Sequence, residues 1–409
     1  MSLLSPLTGL YVVGFFARLS YALARSPVLP LFALYLGAGP EAIGFVVGIS
    51  TVTGIFFKLP SGALSDIIGR KRTMLIGLFV FAFMPFTYLL VGDYYLLSIV
   101  RFLHGFATAI YGPVSMAVVA DIAGSKKGEM LSWFSSVTII GNLLGAPVGG
   151  FLLYSLTRLA PPSIGAFRTV FIVSGLAGMV SFIFALWLLR GEESATARNG
   201  LRDSLRRFVS GISEVISDKR IVVTSSMEGL QNMAMGALEA FLPIYAVKVV
   251  GLNEFQAGLL WGVQVLITIL SKPIMGRTSD RYGRKPVISI GMLLCAVSFA
   301  SIPMLDSFYF LLVAAAIFGL GEAFVTSSSA ALVADFCKER HFGTAMGTFG
   351  TIFDIGHASG PILAGIFIAK WGYLHAFWAL GSIIAIAVPM FILVVDSRTP
   401  QNLRHHQAA

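Results

Sequence analysis

The stretch Gly62-Ala-Leu-Ser-Asp66-Ile-Ile-Gly69-Arg70-Lys71-Arg72 joins two apolar runs, and a related stretch returns later as Gly276-Arg277-Thr-Ser-Asp280-Arg281-Tyr-Gly283-Arg284-Lys285. The glycines of each stretch permit a tight turn. Each aspartate can accept hydrogen bonds from the free N–H groups at a neighbouring helix N-terminus, and the cations anchor the turn at one face of a membrane. At an offset of 214 residues, Gly62, Asp66, Gly69, Arg70 and Lys71 fall on Gly276, Asp280, Gly283, Arg284 and Lys285.

The composition around these turns is that of a membrane protein. Of the 409 residues, 56% are hydrophobic and 12% charged, whereas a soluble domain has about 45–50% and about 25%. A bilayer core needs roughly 20 apolar residues per helix, and alternation at period two, typical of a β-barrel, is absent. The sequence predicts an all-α membrane protein with twelve transmembrane helices, at 8–36, 41–60, 73–92, 94–122, 131–156, 165–189, 221–250, 255–275, 287–305, 307–335, 341–369 and 372–395.

The positive charges predict the orientation of these helices. Of the 29 lysines and arginines, 20 fall on one side of the predicted helices, which the positive-inside rule makes cytoplasmic together with both termini. The net charge of +9 therefore reflects topology and requires no nucleic-acid partner. We expect a six-helix half at 1–189, a cytoplasmic linker at 190–220, a second six-helix half at 221–395 and a cytoplasmic tail at 396–409. The linker is either an amphipathic helix on the anionic lipid surface or a solvated tether.

The 214-residue offset extends beyond the turns. Gly44, Gly48 and Gly105 fall on Gly258, Gly262 and Gly319, and Asp121 falls on Asp335. Because six helices separate each pair, the halves share one orientation, as in a parallel repeat about an axis along the membrane normal. Such a repeat predicts a binding site at the midplane between the halves.

The doubled turn resembles the signature loop of the major facilitator superfamily, and the helix number, the repeat and the long central connection extend this resemblance to the whole chain. In that superfamily the loop stabilises one conformation of the alternating-access cycle. The resemblance implies this role for Asp66 and Asp280. We expect Asp66 to matter more, because its turn keeps the fuller family form.

A second motif is Gly141-Asn-Leu-Leu-Gly145-Ala146-Pro147-Val-Gly149-Gly150 in the fifth predicted helix. It resembles the motif of proton-coupled exporters of the superfamily, although the proline comes one residue late. The alternative is a stripe of packing glycines. Small-residue stripes on the second, fifth, eighth and eleventh helices predict that these four helices line the interface between the halves.

Charged residues inside membrane helices are costly and are functional candidates. Arg101, with Gly105, Gly112 and Pro113, resembles the superfamily's helix-4 arginine motif, which implies an influence on proton exchange at a nearby acid. The halves differ in sign, since the first presents cations and the second acids. The candidate substrate and coupling residues are Arg18, Arg25, Arg101, Glu228, Gln231, Asn232, Glu239, Glu322 and Asp354. Static ion pairs between helices are the alternative.

These features predict a secondary active transporter, a proton-coupled exporter of drugs or small metabolites in the plasma membrane. Such exporters often carry an acid in the first helix, and this chain has Arg18 and Arg25 instead. The alternatives are therefore a carrier of organic anions (carboxylates, phosphorylated or lipid-linked solutes) and a non-transporting receptor on the same fold. The expected partners are a small-molecule substrate, protons and membrane lipids. No nucleotide-binding loop, zinc motif or nucleophile elbow is present, so we expect no enzyme activity, no cofactor and no metal.

Overall fold

A computed structural model describes residues 6–123, 126–158, 163–189, 218–337 and 342–395, and this part of the chain contains helices and short turns but no strand. The predicted linker and C-terminal tail lie outside the described residues. The α-helices are α1 (Pro6–Arg25), α2 (Val28–Tyr35), α3 (Pro40–Ile68), α4 (Arg70–Thr87), α5 (Tyr94–Ala123), α6 (Lys127–Thr157), α7 (Ile164–Leu188), α8 (Lys219–Ile244), α9 (Glu254–Tyr282), α10 (Arg284–Ser301), α11 (Phe308–Phe336) and α12 (Phe342–Val394).

The helix pattern agrees with the predicted transmembrane segments. Within the described residues, ten helical stretches are long and apolar enough to cross a membrane. The first combines α1 and α2 as Leu7–Tyr35. The last, Ala345–Val394, is broken at Gly372, whose φ of 74° is not helical, so it contains the two predicted helices 341–369 and 372–395. The helix α8 is not among the ten, since its polar residues lower its hydropathy, but its 26 residues are long enough to span a bilayer.

The repeat is visible in the backbone. Gly69 and Gly283, which separate α3 from α4 and α9 from α10, have φ angles of 99° and 91°. Gly37 and Gly251 have φ angles of 82° and 79°. Each pair is one repeat offset apart, and each glycine adopts a left-handed conformation that L side chains rarely reach. The same turns therefore occur at equivalent positions of the two repeats.

The described helices form two compact units. The first holds α1–α7 with residues 239–262, and the second holds residues 218–238 with 263–395. In the first unit, one face of α1 (Leu10, Val13, Ala17 and Tyr21) enters the apolar core. Residues 239–262 belong to the second repeat in sequence, yet they pack on α6 of the first unit. For example, the rings of Phe151 and Phe255 lie 5.6 Å apart.

The small residues of α6 pack against two different neighbours. A Cβ added at Gly141 would lie 2.5 Å from the carbonyl oxygen of Phe15, and one at Gly149 would lie 2.7 Å from that of Leu23. A Cβ added at Gly145 would overlap the Cβ of Ala22. This stripe therefore packs against α1, a helix of the same repeat. Neighbouring residues of α6 pack against the second repeat, since a Cβ at Gly258 of α9 would lie 2.6 Å from the carbonyl oxygen of Ala146, which agrees with the interface predicted for the fifth and eighth helices.

Candidate functional site

The end of α1 carries the central ion pair of the first unit. Arg25, the last residue of α1, pairs through Nε with Oε1 of Glu239 in α8. The Glu239 side chain is 1% exposed and that of Arg25 is 22% exposed. The Arg25 guanidinium also lies over the ring of Tyr21, one helical turn earlier, at 5.3 Å from the ring centroid. A carboxylate and an aromatic face thus both stabilise this cation.

Arg101 in α5 lies on the same aromatic ring. Its guanidinium is 5.6 Å from the Tyr21 centroid, and its side chain is fully buried. It donates hydrogen bonds from Nη2 to Ser50 Oγ at 2.6 Å and from Nη1 to Tyr88 Oη at 3.5 Å. Tyr88 Oη in turn bonds to Nδ1 of His104 at 3.0 Å. Among the described residues, Arg101 has no carboxylate within ion-pair distance, so neutral groups solvate this buried charge.

A small cavity opens beside the ion pair. It has room for about one water molecule, and it is lined by Ala22, Arg25, Ser26, Asn142, Ala146, Glu239 and Trp261. We call it the Arg25–Glu239 cavity. Arg101 is not in its wall, and neither is Arg18, which lies half-buried in the middle of α1 beside Gly141. Of the three predicted cations, only Arg25 reaches this cavity.

The second unit holds the other predicted acids. Oε2 of Glu322 in α11 accepts hydrogen bonds from Nε2 of Gln264 at 2.5 Å and from Oγ1 of Thr268 at 3.0 Å. Oε2 of Glu228 in α8 accepts one from Oγ of Ser329 at 2.6 Å. The Glu228 and Glu322 side chains are both buried, and so is Asp354 in α12. Each of these carboxyl groups is therefore enclosed by protein in an apolar helix bundle.

Two further predicted residues lie beside Glu228 on α8. Asn232 Nδ2 donates to the backbone oxygen of Glu228 at 2.9 Å and to Oε1 of Gln231 at 3.0 Å. These contacts fix the Asn232 amide. Among the described residues, Nε2 of Gln231 is buried and has no hydrogen-bond partner. The four candidate residues of α8 thus divide, with Glu228, Gln231 and Asn232 in the second unit and Glu239 in the first.

The sequence prediction missed the neutral partners of the charges. Ser50 binds Arg101, and Gln264 binds Glu322. These two residues are one repeat offset apart, on α3 and α9. The repeat offset of 214 residues thus relates polar residues inside the apolar runs as well as the glycines and the charges of the turns. Tyr21 and Tyr88 gave no such signal, because aromatic residues are common in apolar helices.

The signature turns are joined to the ends of neighbouring helices. Arg70 pairs with Asp121 at the end of α5, and Arg284 pairs with Asp335 at the end of α11, both at 2.5 Å. Asp280 pairs with Arg284 at 3.0 Å, so its partner is a side chain and not the expected helix N-terminus. The side chain of Asp66 lies outside the described part of the structure. Lys71 and Lys285 lie in the first turns of α4 and α10.

One more charged contact lies just before α8. Asp218 Oδ1 accepts the backbone N–H of Arg220 at 2.9 Å, and Asp218 Oδ2 pairs with its guanidinium at 2.8 Å. These hydrogen bonds from Arg220 hold the pKa of the Asp218 carboxyl below its ordinary value. The ionised carboxylate thus caps the first turn of α8. Elsewhere in the described residues, no group of three or more His, Cys, Asp or Glu side chains could hold a metal ion.

Comparison with known proteins gives a family match over most of the chain. The model of the Major Facilitator Superfamily matches residues 10–271 and 233–408. An uncharacterized MFS-type transporter of Methanocaldococcus jannaschii is 23% identical over 365 residues, which is 88% of this chain and 91% of that protein. The multidrug resistance efflux pump PmrA of Streptococcus pneumoniae is 22% identical over 88% of each chain. The crystal structure of the nucleoside transporter NupG has a TM-score of 0.79 at 14% identity, covering 96% of this chain and 99% of NupG.

Proposed function

The chain belongs to the Major Facilitator Superfamily, a family of membrane transporters and not of enzymes, and from that premise we propose that it is a proton-coupled secondary transporter that exports small solutes. It is an integral membrane protein that moves a small molecule. The coupling to protons, the direction of transport and the roles of individual residues are the proposed part. No cofactor takes part in the proposed cycle, which uses only the chain's own side chains.

The observation that carries the proposal is Glu322. Its carboxyl group is buried near the middle of α11, and its contacts to Gln264 and Thr268 are polar but neutral. A buried carboxyl group exchanges its proton in response to small changes in hydration or nearby charge. A conformational change that hydrates this site on one side of the membrane and then on the other would therefore carry a proton across. Asp354 and Glu228 are the further candidates for this role.

Support for export comes from the relatives and from α6. PmrA is named as an efflux pump, and at 22% identity this name supports the direction without fixing the solute. The glycine motif of α6 resembles that of exporters, and its stripe packs against α1. We propose that this close packing makes α1 and α6 move as one body during the cycle.

Orientation and domain boundaries complete the proposal. The positive side holds both signature turns, so we place these turns and both termini in the cytoplasm and the chain in the plasma membrane. The two transporting halves are 1–189 and 221–395, joined by the linker 190–220. The turn pairs Arg70–Asp121 and Arg284–Asp335, with Asp66 and Asp280, stabilise one conformation of the cycle.

A second candidate function is the transport of organic anions. The observation that favours it is Arg101, a fully buried cation held by neutral groups. An anionic solute near Arg101 or Arg18 would supply the missing countercharge. A purely structural role on the same fold is less consistent with so many buried charges, since these cost stability that a static scaffold does not need.

The test is transport by the purified chain in proteoliposomes. Solute uptake is measured for lipophilic cations, amino compounds and monocarboxylates, with the lumen acidic, neutral or alkaline relative to the outside. An antiporter accumulates its solute when the lumen is acidic, because protons that leave the lumen exchange for solute that enters. Accumulation driven by the opposite gradient would show proton symport, and accumulation indifferent to pH would reject proton coupling.

Variants assign the coupling acid. We expect Glu322→Gln or Asp354→Asn to abolish gradient-driven accumulation while solute exchange at equal pH continues, because the amide cannot carry the proton. Glu41→Gln is the matched control, since Glu41 is exposed in the first turn of α3. If both Glu322→Gln and Asp354→Asn accumulate solute as well as the control, these two assignments are wrong and Glu228→Gln is the next variant.

A further inference from the structure

The Arg25–Glu239 cavity has one charge of each sign in its wall. Of the seven residues that line it, Arg25 and Glu239 are charged, and Ala22, Ser26, Asn142, Ala146 and Trp261 are neutral. The nearby Arg101 does not line the cavity, since its guanidinium is buried and bound to Ser50 and Tyr88. The lining residues of the cavity therefore have no net charge, but the two opposite charges of Arg25 and Glu239 make one part of the wall strongly polar.

The two charges also come from equivalent positions of the repeat. Arg25 and Glu239 are separated by the offset that relates Gly69 to Gly283 and Asp121 to Asp335. The first repeat thus contributes a cation and the second an anion at the same place in the fold. A solute in this cavity meets opposite charges on the two repeats.

A ligand with a single charge cannot separate this pair without cost. An anion that takes Arg25 leaves the carboxylate of Glu239, 1% exposed, without its countercharge. A cation that takes Glu239 leaves the guanidinium of Arg25, whose side chain is 22% exposed, without its carboxylate. Breaking a buried pair by removing one partner is strongly unfavourable. A ligand that brings both an anionic and a cationic group replaces both partners at once.

Other groups of the cavity are suited to the rest of such a ligand. The hydroxyl of Ser26 is buried, at 3% exposure of the residue, and has no hydrogen-bond partner among the described residues. Because an unsatisfied buried hydroxyl is unfavourable, it is available to a polar group of a ligand. Asn142 offers both a donor and an acceptor, and the half-buried ring of Trp261 offers an apolar face.

We propose that the Arg25–Glu239 cavity, widened when this ion pair separates, binds a zwitterionic solute, whose anionic group pairs with Arg25 and whose protonated amine pairs with Glu239. The inference rests on the proposed transport function, because it names the substrate class of the same transporter. In the solute-free protein the two residues pair with each other. The bound solute replaces Glu239 as the partner of Arg25 and replaces Arg25 as the partner of Glu239.

The test compares matched ligands on the purified full chain in detergent. Three sets share a side chain and differ in charge: leucine, 4-methylpentanoate and isoamylamine; phenylalanine, 3-phenylpropanoate and 2-phenylethylamine; tryptophan, indole-3-propionate and tryptamine. Affinity is measured by calorimetry and by the ligand-induced rise in melting temperature. In at least one set we expect the zwitterion to bind at least about 10-fold more tightly than either singly charged analogue.

Variants of the Arg25–Glu239 pair should change which type of ligand charge the cavity binds best. In Glu239→Gln the site keeps only its cation, so the carboxylate analogue should bind as tightly as the zwitterion. In Arg25→Gln the site keeps only its anion, so the amine analogue should bind as tightly as the zwitterion. The double variant Arg25→Gln/Glu239→Gln leaves no stranded charge, so it provides a folded reference if a single variant fails to fold. It should bind all three members of a set with similar affinity. Lys248→Gln, at an exposed position beyond α8, is the control that should keep the wild-type preference.

The outcomes separate this inference from the proposed function. Equal binding of the anionic analogue and the zwitterion in every set, or no binding in any set, would overturn the zwitterion site. Gradient-driven transport of some other solute would then still support proton-coupled transport. Conversely, zwitterion binding that follows the expected variant pattern, together with transport indifferent to pH, would keep the site and overturn the proton coupling.

Discussion

At the scale of single residues, the buried charges depend on neutral neighbours as much as on countercharges. Arg101 is the clearest case, since Ser50 supplies its shortest hydrogen bond and Tyr21 covers it at 5.6 Å. Removing an acceptor from a buried guanidinium leaves an N–H group without a partner, which costs about 1–3 kcal/mol. The neighbours of Arg101 should therefore be sensitive to small substitutions.

Ser50→Ala tests this dependence. We expect it to lower the apparent melting temperature of the purified protein, because Nη2 of Arg101 loses its partner at 2.6 Å. Ser155→Ala is the control, since the exposed Ser155 hydroxyl bonds only to the carbonyl of its own helix at Phe151. Fluorescence-detected thermal unfolding measures both variants. Equal melting temperatures for the two would show that Ser50 does not stabilise Arg101.

The residue scale also marks the limit of sequence prediction for the site. Every charged candidate could be found, because a charge in an apolar run is conspicuous. Which of these residues contact each other could not be predicted, since Arg25 and Glu239 are on helices far apart in the chain and their contact depends on tertiary packing. Glu322 was found in the same way, but its neighbours Gln264 and Thr268 carry no charge that would have marked them.

At the scale of helices, glycines determine how closely neighbours approach. The helix α5 carries two glycines with opposite surroundings. A Cβ at Gly105 would lie 2.5 Å from the backbone oxygen of Ser50 on α3, whereas nothing lies within 4 Å of a Cβ at Gly112. The sequence resemblance assigned both glycines to one motif, but the structure gives only Gly105 a packing requirement.

Substitution of each glycine by alanine tests this difference within one helix. Gly105→Ala should lower the apparent melting temperature, because α3 and α5 must separate to admit the methyl group. Gly112→Ala should leave it unchanged or raise it, since alanine is favoured over glycine in a helix by about 1 kcal/mol. Thermal unfolding of the two variants side by side is the measurement. A loss of stability in both, or in neither, would contradict the packing argument.

The presence of each helix could be predicted from the sequence, but which helices pack against each other could not. Apolar runs of about 20 residues give the transmembrane segments directly, and even the break at Gly372 coincides with the start of the last predicted run. The glycine stripe of α6 could not identify α1 as its neighbour, because a small-residue stripe is compatible with any helix that has a complementary face. Helix pairing is a property of the whole bundle and is not encoded in one stripe.

At the scale of the whole molecule, the repeat makes the two signature turns equivalent. Arg70–Asp121 and Arg284–Asp335 have the same separation of 2.5 Å, and in both pairs the partners are 51 residues apart. Because these pairs are partly exposed, each contributes about 1 kcal/mol or less in a single conformation. Their main effect should then be on the balance between conformations, which a difference of that size changes several-fold.

A double-mutant cycle at each turn tests this equivalence. We expect Arg284→Gln and Asp335→Asn to slow solute exchange in proteoliposomes, and the double variant to be no slower than the worse single variant, because either change alone breaks the pair. The cycle on Arg70 and Asp121 should give a coupling of similar size. Additive effects at both turns would mean that the pairs do not act as units.

The distribution of charge over the whole chain leads to the last prediction, the orientation in the membrane. Since 20 of the 29 cations lie on one side, that side should be retained in the cytoplasm. Single cysteines are placed on a Cys337→Ser background, while the native Cys295 is buried and stays. Asp306→Cys in the exposed turn before α11 should react with a membrane-impermeant maleimide in intact cells. Arg281→Cys at the end of α9 should react only after permeabilisation. The reverse pattern would invert the topology, and labelling of both sites in intact cells would show that the chain inserts in two orientations.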